Sequence, residues 1–138
     1  MKNSITLILS ISLMTIFASC KKDMRIQNDG IVGNWKVVEY YDGYVNGGTF
    51  TWHTITNDNS HTLTFSSNGQ YNRKENINGS FQECVGAYAL LNSNNLEINS
   101  NCNTVSEKLT ISELTTTTLI IDRSVIEGKI RYKYLAIK

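Results

Sequence analysis

Beyond residue 33 the chain is organised as short runs in which apolar and polar residues alternate. Residues 49–55 and 61–66 show this period of two most clearly, and it is the pattern of strands that bury one face. Turn-forming Gly, Asn, Asp and Ser separate the runs. We predict strands at residues 36–41, 49–55, 61–66, 70–74, 80–91, 95–101, 108–112, 117–125 and 129–137.

These predicted strands follow one another through short connections, and no stretch has the pattern of an amphipathic helix. Short connections favour an up-and-down meander over a Greek key, which needs a long connection. A meander of this size closes best as a barrel of about eight strands, because closure removes the unpaired edges. We therefore predict an all-β protein with a single antiparallel up-and-down β-barrel. A β-sandwich is the alternative.

Two cysteines of this predicted barrel lie on neighbouring strands. A short turn at residues 92–94 fixes a register in which Leu90 lies opposite Leu96 and Cys84 lies opposite Cys102. Directly opposed residues have Cβ atoms about 4.5–5.5 Å apart, which is close to disulfide geometry. We predict a disulfide bond between Cys84 and Cys102. Two free buried thiols are the alternative.

The last two predicted strands also form a hairpin. If Glu127-Gly128 is its turn, Ile126 faces Lys129 and Asp122 lies opposite Lys133. This opposite-charge pair on the outer face supports the register modestly.

Composition and charge exclude several kinds of protein. The 138 residues fit one domain, and the formal net charge of +1 gives no electrostatic reason to expect a nucleic-acid partner. His53 and His61 lack metal-ligand spacing to other residues and are interpreted as surface histidines. No nucleophile can be paired with a base, and no Gly-rich phosphate loop occurs. We predict a non-enzymatic protein with no metal site and no cofactor.

Residues 1–19 have the features of a secretory signal peptide. Lys2 precedes an apolar run at residues 5–17, which is shorter than the roughly 20 apolar residues of a transmembrane helix. The Phe-Ala-Ser-Cys sequence at residues 17–20 resembles the lipobox of bacterial lipoproteins. That resemblance implies cleavage before Cys20, lipidation of Cys20 and anchoring in a lipid bilayer. A signal peptide cut before an ordinary cysteine is the alternative.

This interpretation divides the chain into three parts. Residues 1–19 are the removed signal peptide, residues 20–30 are the lipidated cysteine with a flexible polar tether, and residues 31–138 are the barrel. The expected location is the cell envelope of a Gram-negative-type bacterium. The domain would be anchored to the outer membrane, on its periplasmic face or at the cell surface.

Four sequence features occur in a characteristic order along residues 31–138. They are Gly33-Asn34-Trp35 before the first strand, Leu63-Thr64-Phe65 leading into Asn68-Gly69-Gln70-Tyr71, Gly86-Ala87-Tyr88 before Leu96, and a final strand carrying Tyr132 and Tyr134. Together they resemble the lipocalin-like domains of bacterial envelope lipoproteins. The resemblance implies the same barrel fold and a role in binding small molecules.

In lipocalins the Trp of the Gly-x-Trp motif plugs the closed end of the barrel, often beneath an Arg from near the chain end. The resemblance therefore implies a plug formed by Gly33 and Trp35, with Arg123 or Arg131 across the indole. The register of the last hairpin puts Arg123 on the apolar face, where a cation–π contact with Trp35 is expected. The alternative is that both arginines are solvated.

Five aromatic residues surround one Gly-rich segment near the expected open end of the barrel: Tyr40, Tyr41, Tyr44, Phe50 and Trp52. Barrel mouths lined by aromatic side chains commonly bind small ligands, although alternation lets only about half of these residues point inward. We predict a small apolar or amphipathic ligand in the barrel. The alternative is a filled barrel that acts as a structural or interaction module of the cell envelope.

Overall fold

The computed structural model describes residues 29–44 and 51–138, and this part of the chain is almost entirely β-structure. None of its residues form a helix long and apolar enough to cross a bilayer. A short 3₁₀ helix occupies Asn57–Asn59. The strands are β1 (Gly33–Tyr44), β2 (His53–Thr54), β3 (His61–Phe65), β4 (Gln70–Ile77), β5 (Ser80–Leu90), β6 (Asn95–Ser100), β7 (Glu107–Leu114), β8 (Thr118–Val125) and β9 (Gly128–Ile137).

The strands close into an antiparallel barrel. From β3 to β9 each strand pairs with the next, and β3 also pairs with the first half of β1. Strand β9 returns to β1 and pairs with it from Asn34 opposite Ile137 to Tyr44 opposite Gly128. Strand β2, which takes up two of the described residues 51–55 of the predicted strand at 49–55, pairs with the second half of β1. The predicted up-and-down barrel is confirmed, and the β-sandwich alternative is wrong.

The inward-facing residues form one hydrophobic core around Trp35. The indole is fully buried, with 0% of its surface exposed, and its Nε1 donates a 2.8 Å hydrogen bond to the carbonyl oxygen of Ile31. This contact satisfies the polar atom of a buried tryptophan and fixes the segment that leads into β1. The other members of the core are Ile31, Val37, Leu63, Phe65, Tyr71, Leu96, Ile98, Leu109, Ile111, Leu119, Ile121 and Tyr134.

The hairpin of β5 and β6 has the predicted register, with Leu90 opposite Leu96. The disulfide between Cys84 and Cys102 is confirmed, with an S–S distance of 2.02 Å and Cα atoms 5.5 Å apart. Between these two points the strands approach unusually closely at Gly86. A Cβ atom there would lie 2.0 Å from the carbonyl oxygen of Asn99, so only glycine fits.

The hairpin of β8 and β9 differs from the predicted register by two residues. Its turn is Ile126-Glu127, and Gly128 begins β9 opposite Val125. Asp122 therefore lies opposite Arg131, and the predicted pairing with Lys133 is wrong. A shift of two keeps every side chain on its predicted face, because side chains alternate with a period of two.

Chemistry on the outer face explains the observed register of that hairpin. Arg131 donates two hydrogen bonds to the Asp122 carboxylate, from Nε at 2.5 Å and from Nη2 at 2.7 Å. Lys129 Nζ lies 3.2 Å from the same carboxylate, and Ser112 donates to it at 2.7 Å. Burial alone would raise the pKa of Asp122, but these hydrogen bonds lower it overall. A bidentate guanidinium is a stronger partner than the single ammonium of Lys133.

A turn that the sequence interpretation overlooked extends β4 beyond its predicted end. Asn78 and Gly79 have φ angles of 50° and 83° and connect β4 to β5 with Ile77 opposite Ser80. Two consecutive positive φ angles are the requirement of a type I′ hairpin turn, which Asn-Gly satisfies best.

Removal of the disulfide should weaken the barrel without changing its topology. We expect the Cys84→Ser/Cys102→Ser variant to lose about 2–4 kcal/mol in free energy of unfolding, because the bond closes a loop of 18 residues. Urea denaturation followed by far-UV circular dichroism measures this loss. Wild-type protein denatured in reductant is the control and should match the variant. Equal wild-type midpoints with and without reductant would show that the bond contributes nothing.

Candidate functional site

The barrel encloses a cavity of about 640 Å³. This volume lies within the range of roughly 300–1,000 Å³ typical of small-molecule sites. The cavity reaches the barrel end formed by Ile55, Ile77 and Asn103, which is the end away from Trp35. Its apolar wall consists of Leu63, Ile98, Leu109 and Ile121.

Two ion pairs lie in the same wall. Arg73 Nε is 3.0 Å from Glu75 Oε2, but neither atom has a partner aligned as a hydrogen bond. Arg123 forms an ion pair with Glu107 through Nη2, while its buried Nε has no hydrogen-bond partner. Alternation along β4 explains the first pair, since Arg73 and Glu75 are two residues apart and share the inward face.

His61 also lines the cavity, so its interpretation as a surface histidine is wrong. Its Nε2 lies 2.8 Å from the hydroxyl of Tyr134, which is almost fully buried. Burial, followed by the nearby charges of Arg73 and Arg123, lowers the pKa of His61 to about 4. The imidazole is therefore neutral near pH 7 and takes part in the contact as a neutral donor or acceptor.

The phenols of this region remain protonated. Burial, the largest effect, raises the pKa of Tyr71 to about 12, with smaller opposing effects from the surrounding arginines and glutamates. Burial also raises the pKa of Tyr134 well above its ordinary value. Together with neutral His61, these groups provide neutral hydrogen-bonding atoms beside two guanidinium groups.

Of the five aromatic residues predicted at the mouth, Tyr40 lines the cavity. Tyr41 and Trp52 contact each other outside the barrel, with ring centroids 5.1 Å apart and ring planes tilted by 51°. Only the backbone of Tyr44 is described, and Phe50 lies outside the described residues, as does Cys20.

A β-bulge in β1 decides which of these tyrosines points inward. Val37 pairs with Tyr134 and Glu39 pairs with Lys133, so Val38 is an extra residue in β1. Trp35 and Val37 face inward before the bulge, whereas Tyr40 faces inward after it. Without the extra residue, alternation would have placed Tyr41 inside.

The predicted contact between Arg123 and Trp35 is wrong. Arg123 lies opposite Ile130, whose partner in β1 is Asp42, seven positions beyond Trp35. Its guanidinium faces the cavity and is paired with Glu107. The other candidate, Arg131, lies on the outer face and extends over the ring of Tyr41 at 5.3 Å from the centroid.

Of the charged residues of the cavity, Arg123 was among the predicted site residues, with a different partner, whereas Arg73, Glu75 and Glu107 were absent from that prediction. A usable signal existed for Arg73 and Glu75, because they follow Tyr71 with a period of two in a strand paired with Leu63 and Phe65. In the described part of the chain, His, Cys, Asp and Glu side chains form no group of three suited to a metal ion.

The low pKa of His61 makes stability depend on pH. Between pH 6.5 and about 4 the unfolded chain binds a proton that folded His61 does not, so the free energy of unfolding should fall as pH decreases. At pH 4.5 this contribution amounts to up to about 2.5 kcal/mol relative to pH 7. Urea denaturation at pH 7 and pH 4.5 measures the change in the free energy of unfolding between these two pH values. That change should be smaller in His61→Asn than in the wild type by the same amount.

The matched control for this experiment is His53→Asn, because His53 is exposed on β2. This variant should keep the wild-type dependence on pH. An unchanged pH dependence in His61→Asn would contradict the buried neutral state of His61.

Comparison with known proteins supports the fold. A family model described as Lipocalin-like domain matches residues 31–121, a span that runs from the segment before β1 to Ile121 in β8. No curated protein matches the chain. The matched span covers the Gly-x-Trp motif, the disulfide hairpin and most of the cavity wall. The chain therefore belongs to the family of lipocalin-like domains.

Proposed function

We propose that the protein binds a small amphipathic molecule inside its barrel while lipidated Cys20 holds it at the outer membrane. The cavity of about 640 Å³ carries this proposal. A barrel of about eight strands can be filled by its own side chains, and a filled barrel would favour a structural or interaction module. The volume of this cavity instead supports the ligand-binding alternative.

The wall of the cavity has the composition expected for an amphipathic ligand. Leu63, Ile98 and Ile121 offer apolar surface, and transfer of apolar ligand surface from water to such a wall contributes roughly 25 cal/mol per Å². Polar groups on the same wall would orient the ligand, as in most small-molecule sites. Binding rather than catalysis is proposed because lipocalin-like domains are generally a non-enzymatic binding fold.

The segment before β1 and the opening of the cavity lie at opposite ends of the barrel, which suits a protein that is anchored through its N-terminal segment and binds a ligand at the other end. The segment before β1 enters the barrel at Trp35, whose Nε1 is bonded to Ile31. The cavity reaches the opposite end, near Ile77 and Asn103. A tether from Cys20 would therefore join the barrel away from its mouth and leave the mouth open to an incoming ligand.

A neutral fluorescent probe tests binding in the cavity. We expect N-phenyl-1-naphthylamine to bind with enhanced fluorescence. Ile55→Trp, which places a larger side chain at the mouth, should weaken its affinity by at least about tenfold. Val85→Trp adds the same side chain at an exposed position of β5 and should leave the affinity unchanged. No probe binding, or equal binding by both variants, would contradict a ligand site in the barrel.

Loss of Cys20 should release the protein from the membrane. Acyl chains contribute about 0.8 kcal/mol for each buried CH₂, so a multiply acylated cysteine is a stable anchor. Wild-type protein expressed in a Gram-negative host should enter the detergent phase of a Triton X-114 partition, and Cys20→Ala should remain in the aqueous phase. Cys102→Ser is the control and should partition like the wild type. Membrane association of Cys20→Ala would contradict the anchor.

A further inference from the structure

The guanidinium groups of Arg73 and Arg123 have more donors than the protein uses. Each guanidinium carries five N–H donors, and one carboxylate accepts at most two of them in a bidentate pair. In the described residues the buried Nε of Arg123 has no hydrogen-bond partner. Arg73 Nε meets Glu75 without hydrogen-bond alignment, and Arg73 Nη2 donates only a long contact of 3.7 Å to Cys84 Sγ. The side chain of Arg123 is 40% exposed and that of Arg73 is 22% exposed, and both line the cavity. A ligand in the cavity can therefore reach both guanidinium groups. A ligand with oxygen acceptors would satisfy these donors.

Charge in one part of the cavity is unbalanced in favour of the arginines. Near Tyr71, the effects of Glu75 and Glu107 on the phenol oppose those of the two arginines. At His61, which lies directly opposite Glu75, the leading charge effects on the ring are those of Arg73 and Arg123, and both disfavour the imidazolium. At the ring of His61 the two arginines therefore outweigh their paired carboxylates, which favours a negative ligand group there over a positive one.

Glu75 and Glu107 are less suited to hold a cationic ligand. Glu107 already receives the guanidinium of Arg123 and the side-chain amide of Asn103 at 3.5 Å. Glu75 Oε2 has no aligned hydrogen bond either, but its charge is already paired with Arg73 Nε at 3.0 Å. A ligand cation would have to displace these partners, whereas an anion can add to donors that remain available on the same guanidinium groups.

Resting on the proposed function, we propose that the ligand is an amphipathic anion. Its carboxylate or phosphate oxygens accept hydrogen bonds from the guanidinium groups of Arg73 and Arg123. Its apolar part packs on the cavity wall formed by Leu63, Ile98, Leu109 and Ile121. The arginines thus select the charge of the ligand, and the wall selects its apolar part.

Isothermal titration with four probes of one chain length tests this inference: decanoate, decyl phosphate, decanol and decyltrimethylammonium. We expect at least one of the two anions to bind about 10–100-fold more tightly than decanol, as hydrogen bonds to charged groups predict. The ammonium compound should bind more weakly than decanol. The ratio of decanoate to decyl phosphate affinity identifies the head group. Inorganic phosphate alone should bind far more weakly than decyl phosphate, because it lacks the apolar part.

Variants of the arginines locate the head group. Arg73→Gln and Arg123→Gln should each reduce the affinity for the preferred anion by about tenfold and leave decanol binding nearly unchanged. Since Arg123→Gln leaves Glu107 buried without its partner, the double variant Arg123→Gln/Glu107→Gln removes both charges and protects the fold. Lys74→Gln, at an exposed position beside Arg73, is the control and should keep the anion preference.

The possible results separate this inference from the proposed function. If decanol binds and neither anion binds more tightly, or if the ammonium compound binds best, the inference is overturned while ligand binding stands. An anion preference that survives in both arginine variants also overturns it. If no alkyl probe and no N-phenyl-1-naphthylamine binds, the proposed function and the inference fail together.

Discussion

The pairing of β9 with β1 is the constraint on which the rest of the structure depends. It runs along nearly the whole of β1 and joins the two ends of the meander. Without it, both strands would expose unpaired backbone groups, and the interior would be open to water. The buried indole of Trp35 and the partly buried imidazole of His61 both depend on this closure, because Trp35 lies on β1 and His61 lies on β3, the neighbour of β1. The cavity therefore depends first on closure of the barrel by β1 and β9, and only then on which residues line it.

Side-chain contacts of charged residues on the outside of the barrel support the pairing of β9 with β1. Lys133 of β9 donates to Glu39 of β1 at 2.8 Å, and Arg131 of β9 reaches over the ring of Tyr41. Both contacts cross from β9 to β1 at positions just after the bulge at Val38. The bulge therefore has two effects: it turns Tyr40 toward the cavity, and it brings Glu39 and Tyr41 to the outer face where the cations of β9 meet them.

Much of the fold follows from the sequence, because alternation, turn residues and opposed cysteines are local signals. The β5–β6 register was predictable since Leu90, Leu96 and the two cysteines agreed on one alignment. In the β8–β9 hairpin, alternation fixes the face of each residue but does not distinguish registers that differ by two, and the geometry of Arg131 with Asp122 decides between them. The cavity was harder to predict. The bulge at Val38 cannot be recognised from the alternation of apolar and polar residues in the sequence. The ion pair of Arg123 with Glu107 joins residues 16 positions apart on two strands, and local sequence signals do not reveal it.

The hydrogen bond between Trp35 and Ile31 also has a mechanical consequence. Force applied to the chain before Ile31 reaches β1 directly, because the bonded indole couples that segment to the core. Strand β1 is paired along both of its edges, with β3 on one side and β9 on the other. Ladder hydrogen bonds in antiparallel sheets lie perpendicular to the strands, so a pull along β1 loads many of them in shear at the same time. A pull on the segment before β1 is therefore opposed by two ladders at once, and the proposed tether at Cys20 would pull from that side.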